Sequence, residues 1–135
     1  MKFTVHDAEF KQEVRKFGSV VKTAFISAKS KWLLWLTQEA ILRTPVDTGN
    51  LRFNWQPTAG QPSDLYIFSP GAGAPTPKKV KGPIGANFYL TNNTPYGTYI
   101  ENDRRSAQAP DGIIGPLEPG FGDVFEAFWA EELSS

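Results

Sequence analysis

The stretch Arg43-Thr44-Pro45-Val46-Asp47-Thr48-Gly49-Asn50-Leu51-Arg52 decides how this chain folds. Before it, apolar residues recur at helical spacing; after it, they alternate. Pro45 ends the helix, because the residue before a proline avoids the helical region. Asp47-Thr48-Gly49-Asn50 has the composition of a tight turn. The Asp47 carboxylate can accept backbone N–H bonds, and Gly49 can take a positive φ. Leu51-Arg52-Phe53-Asn54-Trp55 then alternates as a strand would, with Leu51, Phe53 and Trp55 on one face. Arg43 and Arg52 flank Asp47 and are spaced to pair with it. The stretch reads as a corner where a helix hands over to a sheet. The competing reading is an active-site loop with Asp47 at its tip.

Upstream, the pattern is helical from about Asp7 to Arg43. Phe10, Val14, Phe17, Val21, Ala24, Ala28, Trp35 and Leu42 form one apolar stripe. Thr4 or Asp7 can cap the start, and Gly18 is a possible kink. Unbroken, such a helix spans on the order of 54 Å, long for a chain of this size. Its polar side carries Lys11, Arg15, Lys22 and Lys29. Their spacing fits either a basic stripe facing phosphates or an ordinary solvated face.

Downstream, Leu65-Tyr66-Ile67-Phe68 predicts a second strand. Residues 57–85 then hold 11 Pro or Gly, which excludes regular structure and predicts a long loop. Lys78, Lys79 and Lys81 sit near its tip. They face nucleic acid or an acidic partner, or they solubilise a loop that orders only in an assembly. Phe88-Tyr89-Leu90 reads as a strand and Asn92-Asn93-Thr94-Pro95 as a turn. Tyr96 to Ile100 reads as a strand or a single helical turn, and Ser106 to Gly120 as another loop. Phe121, Val124, Phe125, Phe128 and Trp129 predict a final helix, made acidic by Asp123, Glu126, Glu131 and Glu132. The fold class expected is α+β: a long N-terminal helix, an antiparallel sheet of about four strands, an extended 69–85 loop and a short C-terminal acidic helix. No internal repeat or linker divides residues 1–135.

The totals narrow the chemistry. A chain of 135 residues is one domain's worth. It has no Cys, so disulfides and thiolate chemistry are excluded. It has one His, His6, with no nucleophile elbow around any Ser. Gly71-Ala72-Gly73-Ala74-Pro75 runs into Pro77 rather than a helix, so it fails as a phosphate cradle. Glu101 and Asp103 make a carboxylate pair that any acidic surface offers. Asp47-Thr48-Gly49 matches the letters around aspartic-protease nucleophiles over three residues only. A hydrolase of this kind would lose its activity in Asp47→Asn. No apolar run approaches the roughly 20 residues of a membrane span, and residues 1–10 lack the apolar core expected of a signal peptide. Net charge is zero, yet residues 1–98 carry 12 Lys/Arg against 6 Asp/Glu, and residues 99–135 carry 2 against 8. Such a split either draws copies together head to tail or mixes on one folded surface. Trp32, Trp35, Trp55 and Trp129 serve either a monomer core, for at least two of them, or contacts between subunits.

The corner and a later segment together resemble a known family. The ordered set is Thr44-Pro45-Val46-Asp47-Thr48-Gly49-Asn50-Leu51-Arg52, a strand, Asn92-Asn93-Thr94-Pro95-Tyr96-Gly97-Thr98-Tyr99-Ile100-Glu101, then Ala107-Gln108-Ala109-Pro110-Asp111-Gly112. It is similar to the head–tail joining and tail-completion (neck) proteins of long-tailed bacteriophages. Gly97 stands where alanine is usual there, and the 69–85 insert is longer than that family leads one to expect. The resemblance implies a non-enzymatic virion protein without cofactor or metal. It implies a homo-oligomeric ring, of six copies, that completes the tail. The ring would meet tail tube and terminator proteins on one side and head connector proteins on the other. Genomic DNA would pass through its centre. It would be assembled in the host cytoplasm, sit at the head–tail junction of the virion and contact no membrane. Arg43, Pro45, Asp47, Thr48, Gly49, Leu51 and Arg52 would form its structural corner, and Asn92, Pro95, Tyr96 and Glu101 its sheet segment. The alternative reading is a small nucleic-acid-binding module that uses Lys11, Arg15, Lys22, Lys29, Lys78, Lys79 and Lys81.

Overall fold

A computed structural model describes residues 2–5, 19–46, 49–83, 85–95, 97, 101 and 111–134. Its elements are β1 (Lys2–Val5), α1 (Ser19–Arg43), the short helical turn α2 (Asn50–Phe53), β2 (Trp55–Ala59) and β3 (Phe88–Asn92), then a 3-10 turn (Gly115–Gly120) that runs into α3 (Phe121–Ser134). The class is α+β, as expected. Among the described residues the sheet has three strands in the order β1-β3-β2, all antiparallel, rather than about four. Residues 7–18, which the helical pattern included, lie outside the described residues.

Pro45 does end α1, two residues after Arg43. The face that α1 buries differs from the apolar stripe read in the sequence. Phe25, Ala28, Lys29, Trp32, Leu33, Leu36, Thr37, Ala40, Ile41 and Thr44 point inward at the three-and-four spacing of a helix. Leu42 is 78% exposed. The stripe is disguised because two of its members are polar and satisfied locally. The Thr37 hydroxyl donates to the Leu33 carbonyl one turn back (2.8 Å), and the Thr44 hydroxyl donates to the Ala40 carbonyl.

Lys29 corrects the basic-stripe reading. It is 3% exposed. Its ammonium donates to the Ala86 carbonyl and sits 4.5 Å from the centroid of the Phe88 ring. A buried cation needs such partners, and an aromatic face supplies part of its lost hydration. Lys22 is half-buried on the same helix, and Lys11 and Arg15 lie outside the described residues.

On one side α1 packs against α3. Phe25 meets Phe125 and Trp129 edge-on at 5.8 and 5.4 Å, and Trp32 meets Phe121 edge-on at 5.2 Å. The Trp32 indole also donates to the Phe121 carbonyl (3.1 Å). On its other side α1 meets the sheet through Leu33, Leu36 and Ile41, with Trp55, Phe88 and Leu90. Trp32 and Trp55 are therefore core residues; Trp35 is only partly buried, against Phe121. The expected loop before α3 supplies three more core side chains, Ile113, Ile114 and Leu117. Lys31 of α1 bridges Glu131 (3.0 Å) and Glu132 of α3. These hydrogen bonds raise the Lys31 pKa and lower that of Glu132. Here the basic and acidic halves of the sequence meet within one chain.

Candidate functional site

The corner is tighter than a helix-to-strand handover. Leu51–Phe53 belongs to the helical turn α2, and the strand begins only at Trp55. Gly49 caps that turn at φ 84, the positive φ expected of it. A Cβ there would overlap the Ala72 carbonyl oxygen, so the incoming loop also requires glycine. Asp47 and Thr48 lie outside the described residues. Among the described residues the arginines have other partners. Arg43 bonds Glu39 one turn back (3.2 Å), and Arg52 Nη2 reaches the Ala72 carbonyl at 3.5 Å. Arg52 Nε is buried without a partner among the described residues. The Trp55 indole donates to the Thr44 hydroxyl (2.7 Å), which ties the first residue of β2 to the end of α1.

The two sequence motifs meet here. Asn92, at the end of β3, is fully buried, and its amide donates to the Leu51 carbonyl (2.8 Å). Its side-chain oxygen accepts from the Thr94 N–H (3.1 Å) and so starts the turn that closes with Gly97 N–H on the Thr94 carbonyl. Pro95 is exposed in that turn, and Tyr96 lies outside the described residues. Glu101 was expected in the sheet and is not there; it has helical conformation and is buried. Its carboxylate accepts the N–H groups of Ile113, Ile114 (3.0 Å) and Gly115 (2.8 Å), where the 3-10 turn opens. An ionised carboxylate suits that place, because the first N–H groups of a helical turn lack internal partners. Glu101 thereby anchors the start of the 3-10 turn; Asp103 lies outside the described residues.

The expected strand Leu65–Phe68 is extended but joins no backbone ladder. Side-chain amides take the place of a neighbouring strand. Asn54 accepts from the Ile67 N–H (2.9 Å) and donates to the Ile67 carbonyl (2.8 Å). Asn50 accepts from the Ser69 N–H (2.7 Å) and donates to the Tyr66 hydroxyl (2.7 Å). Gln56 and Asn93 both donate to the Leu65 carbonyl, at 2.6 and 3.0 Å. Strand-like sequence thus becomes a strand only in conformation, because α2 and β2 present amides where a ladder would need peptide groups. Sequence reasoning missed this set. Its one legible signal is the spacing of Asn50 and Asn54, four apart and so on one side of a helical turn.

The Pro/Gly-rich loop folds back onto the body of the chain. Val80 packs on the core, and Gly82 lies close to Ala59 and Phe88. Pro75 and Pro77 wall a shallow hollow of about 320 Å³ with Ile41, Trp55, Pro57 and Val80. Lys78, Lys79 and Lys81 are exposed, as expected. Among the described residues, no group of three or more His, Asp or Glu is placed to hold a metal ion, and no helix is long and apolar enough to cross a membrane. No family model, curated protein or solved structure matches the chain.

Proposed function

We propose that the chain is a structural subunit of a tailed-phage virion, acting by assembly rather than catalysis. Copies form a ring, six in number, at the head–tail junction. The ring completes the tail, meets the head connector and lets DNA pass. The observation that carries this reading is the Asn92–Leu51 hydrogen bond: the two motifs behind the family resemblance converge on one buried hub. The polar side chains of that hub are spent on backbone groups, as befits a scaffold. Leu65, Ile67 and Phe68 stay exposed beside it and offer contact surface.

A second reading, a nucleic-acid-binding module, draws on the exposed Lys78, Lys79 and Lys81. It loses Lys29, which is buried under β3. One experiment separates the two. Solution mass is measured by light scattering over a concentration and salt series, with duplex DNA binding followed in parallel. The ring reading expects a closed multiple of 15.0 kDa, such as six, and weak DNA binding. A 15.0 kDa monomer whose DNA affinity falls steeply with salt overturns it in favour of the second. Asp47→Ala is expected to reduce folding or ring formation, with no hydrolytic activity to lose.

A further inference from the structure

We propose that residues 61–83 form a strap that opens from the body as one unit while the helices and the sheet stay folded. This goes beyond the ring reading and does not rest on it. The strap leaves and rejoins the sheet at one place. Ala59 of β2 pairs with Phe88 of β3, and beyond that pair the Gly60 N–H still donates to the Asn87 carbonyl (2.8 Å). The hairpin is therefore closed below the strap, and its pairing uses none of residues 61–83.

What holds the strap differs from what holds the body. Among the described residues no backbone–backbone hydrogen bond joins 61–83 to the rest of the chain. The tethers are side chains of the body. Asn93 donates to the Ser63 and Leu65 carbonyls, and Gln56 to that of Leu65. Asn54 clasps both peptide groups of Ile67, and Asn50 accepts from the Ser69 N–H. Farther on, Arg52 Nη2 reaches the Ala72 carbonyl at 3.5 Å. Each bond of this kind is weak net of the water it replaces. Apolar burial adds little, since none of the described residues in 61–83 is buried and Val80 supplies the packing on the core. A segment with few buried contacts and solvent-accessible hydrogen bonds opens ahead of the whole.

The spacing of the tethers makes the opening collective. They fall on residues 63, 65, 67 and 69, and the bonds inside the strap are local: Leu65 N–H on the Ser63 hydroxyl and Ala72 N–H on the Ser69 carbonyl. Releasing one tether leaves its neighbours holding a longer free chain, so they let go together. Opening exchanges one surface for another. Closed, Pro75, Pro77 and Val80 stand over Ile41 and Trp55 as walls of the hollow. Open, Ile41 and Trp55 lose that cover. A strap of 23 residues fixed at both ends then swings out by up to about 40 Å, taking the exposed Leu65, Ile67 and Phe68 with it.

The test is native-state hydrogen exchange on the full chain, followed residue by residue at low denaturant. The Ile67 and Ser69 N–H groups, held by different side chains, are expected to exchange with matched protection. Both should exchange on the order of 100-fold or more faster than the N–H groups of β3, with a denaturant slope well below that of global unfolding. Asn93→Ala supplies the second readout. It removes bonds to residues 63 and 65 alone, yet should speed exchange at Ile67 and at Ser69 by about tenfold each. Exchange at Ile67 and Ser69 as slow as in β3, with the global slope, overturns the inference, because the strap then opens only when the protein unfolds. Unequal protection, with Ser69 indifferent to Asn93→Ala, overturns it too, because the segment then frays piece by piece.

Discussion

β3 and residues 63–69 are both short, extended and rich in aromatic and aliphatic residues, and they end up in opposite situations. β3 lies between β1 and β2, with backbone ladders on both sides and Phe88 and Leu90 in the core. The 63–69 segment has amide side chains on the peptide groups of 63, 65, 67 and 69 and, among the described residues, no hydrogen-bond partner on those of 64, 66 and 68. The comparison separates two requirements that a strand usually meets together. Extended conformation needs its inward peptide groups satisfied, and side chains can do that. Burial needs a second layer, and only a strand that α1 covers receives one.

The largest expected effect breaks the comparison from the β3 side. Leu90→Ala empties the centre of the sheet and should cost about 3–5 kcal/mol in denaturant unfolding. A loss under about 1 kcal/mol would mean that β3 is not the centre of the core. Next comes the support of the other region. Asn54→Ala leaves the partly exposed Ile67 N–H and C=O without their side-chain partners and should cost about 1–2 kcal/mol. If the cost is negligible, the amides do not hold the segment. Phe68→Ser should change stability by less than about 0.5 kcal/mol, since its ring touches little in the monomer. A large loss would place Phe68 inside the fold.

The faintest signal is the pH dependence of Lys31, in the middle of α1, and Glu132, near the end of α3. Glu132 has a lowered pKa, so its contribution is present above the ordinary carboxylate value of 4.5 and fades as pH falls through its folded value. Lys31 has a raised pKa, so its contribution is present below 10.5 and is lost as pH rises through its folded value. Lys31→Met should flatten both limbs of the stability profile and leave the 63–69 region unchanged. A profile identical to wild type would remove the pair from the account.

Much of the fold was legible, for identifiable reasons. Pro45 and the positive φ of Gly49 are properties of single residues, so they read true. The face of α3 read true because Phe121, Val124, Phe125, Phe128 and Trp129 on it are all apolar. The face of α1 did not, because Lys29 and Thr37 sit among its buried residues and their partners lie on Phe88, on the Ala86 carbonyl or one turn back. Leu51–Phe53 alternates like a strand yet turns as a helix, since three residues satisfy either period. Glu101 carried no mark of its role, because the N–H groups it accepts are brought to it from residues 113–115.

The sequence by itself determined where α1 must end, that residues 19–43 and 121–134 are helical and 88–92 extended, and which end carries the acidic helix. Backbone constraint and hydrophobic period are local, and the residues concerned carry them wherever they sit. The tertiary structure alone decided that Lys29 is buried, that Glu101 opens a helical turn and that Leu65–Phe68 is extended without a ladder. Each of those outcomes depends on a partner far along the chain, and a polar group's role is set by whichever group reaches it.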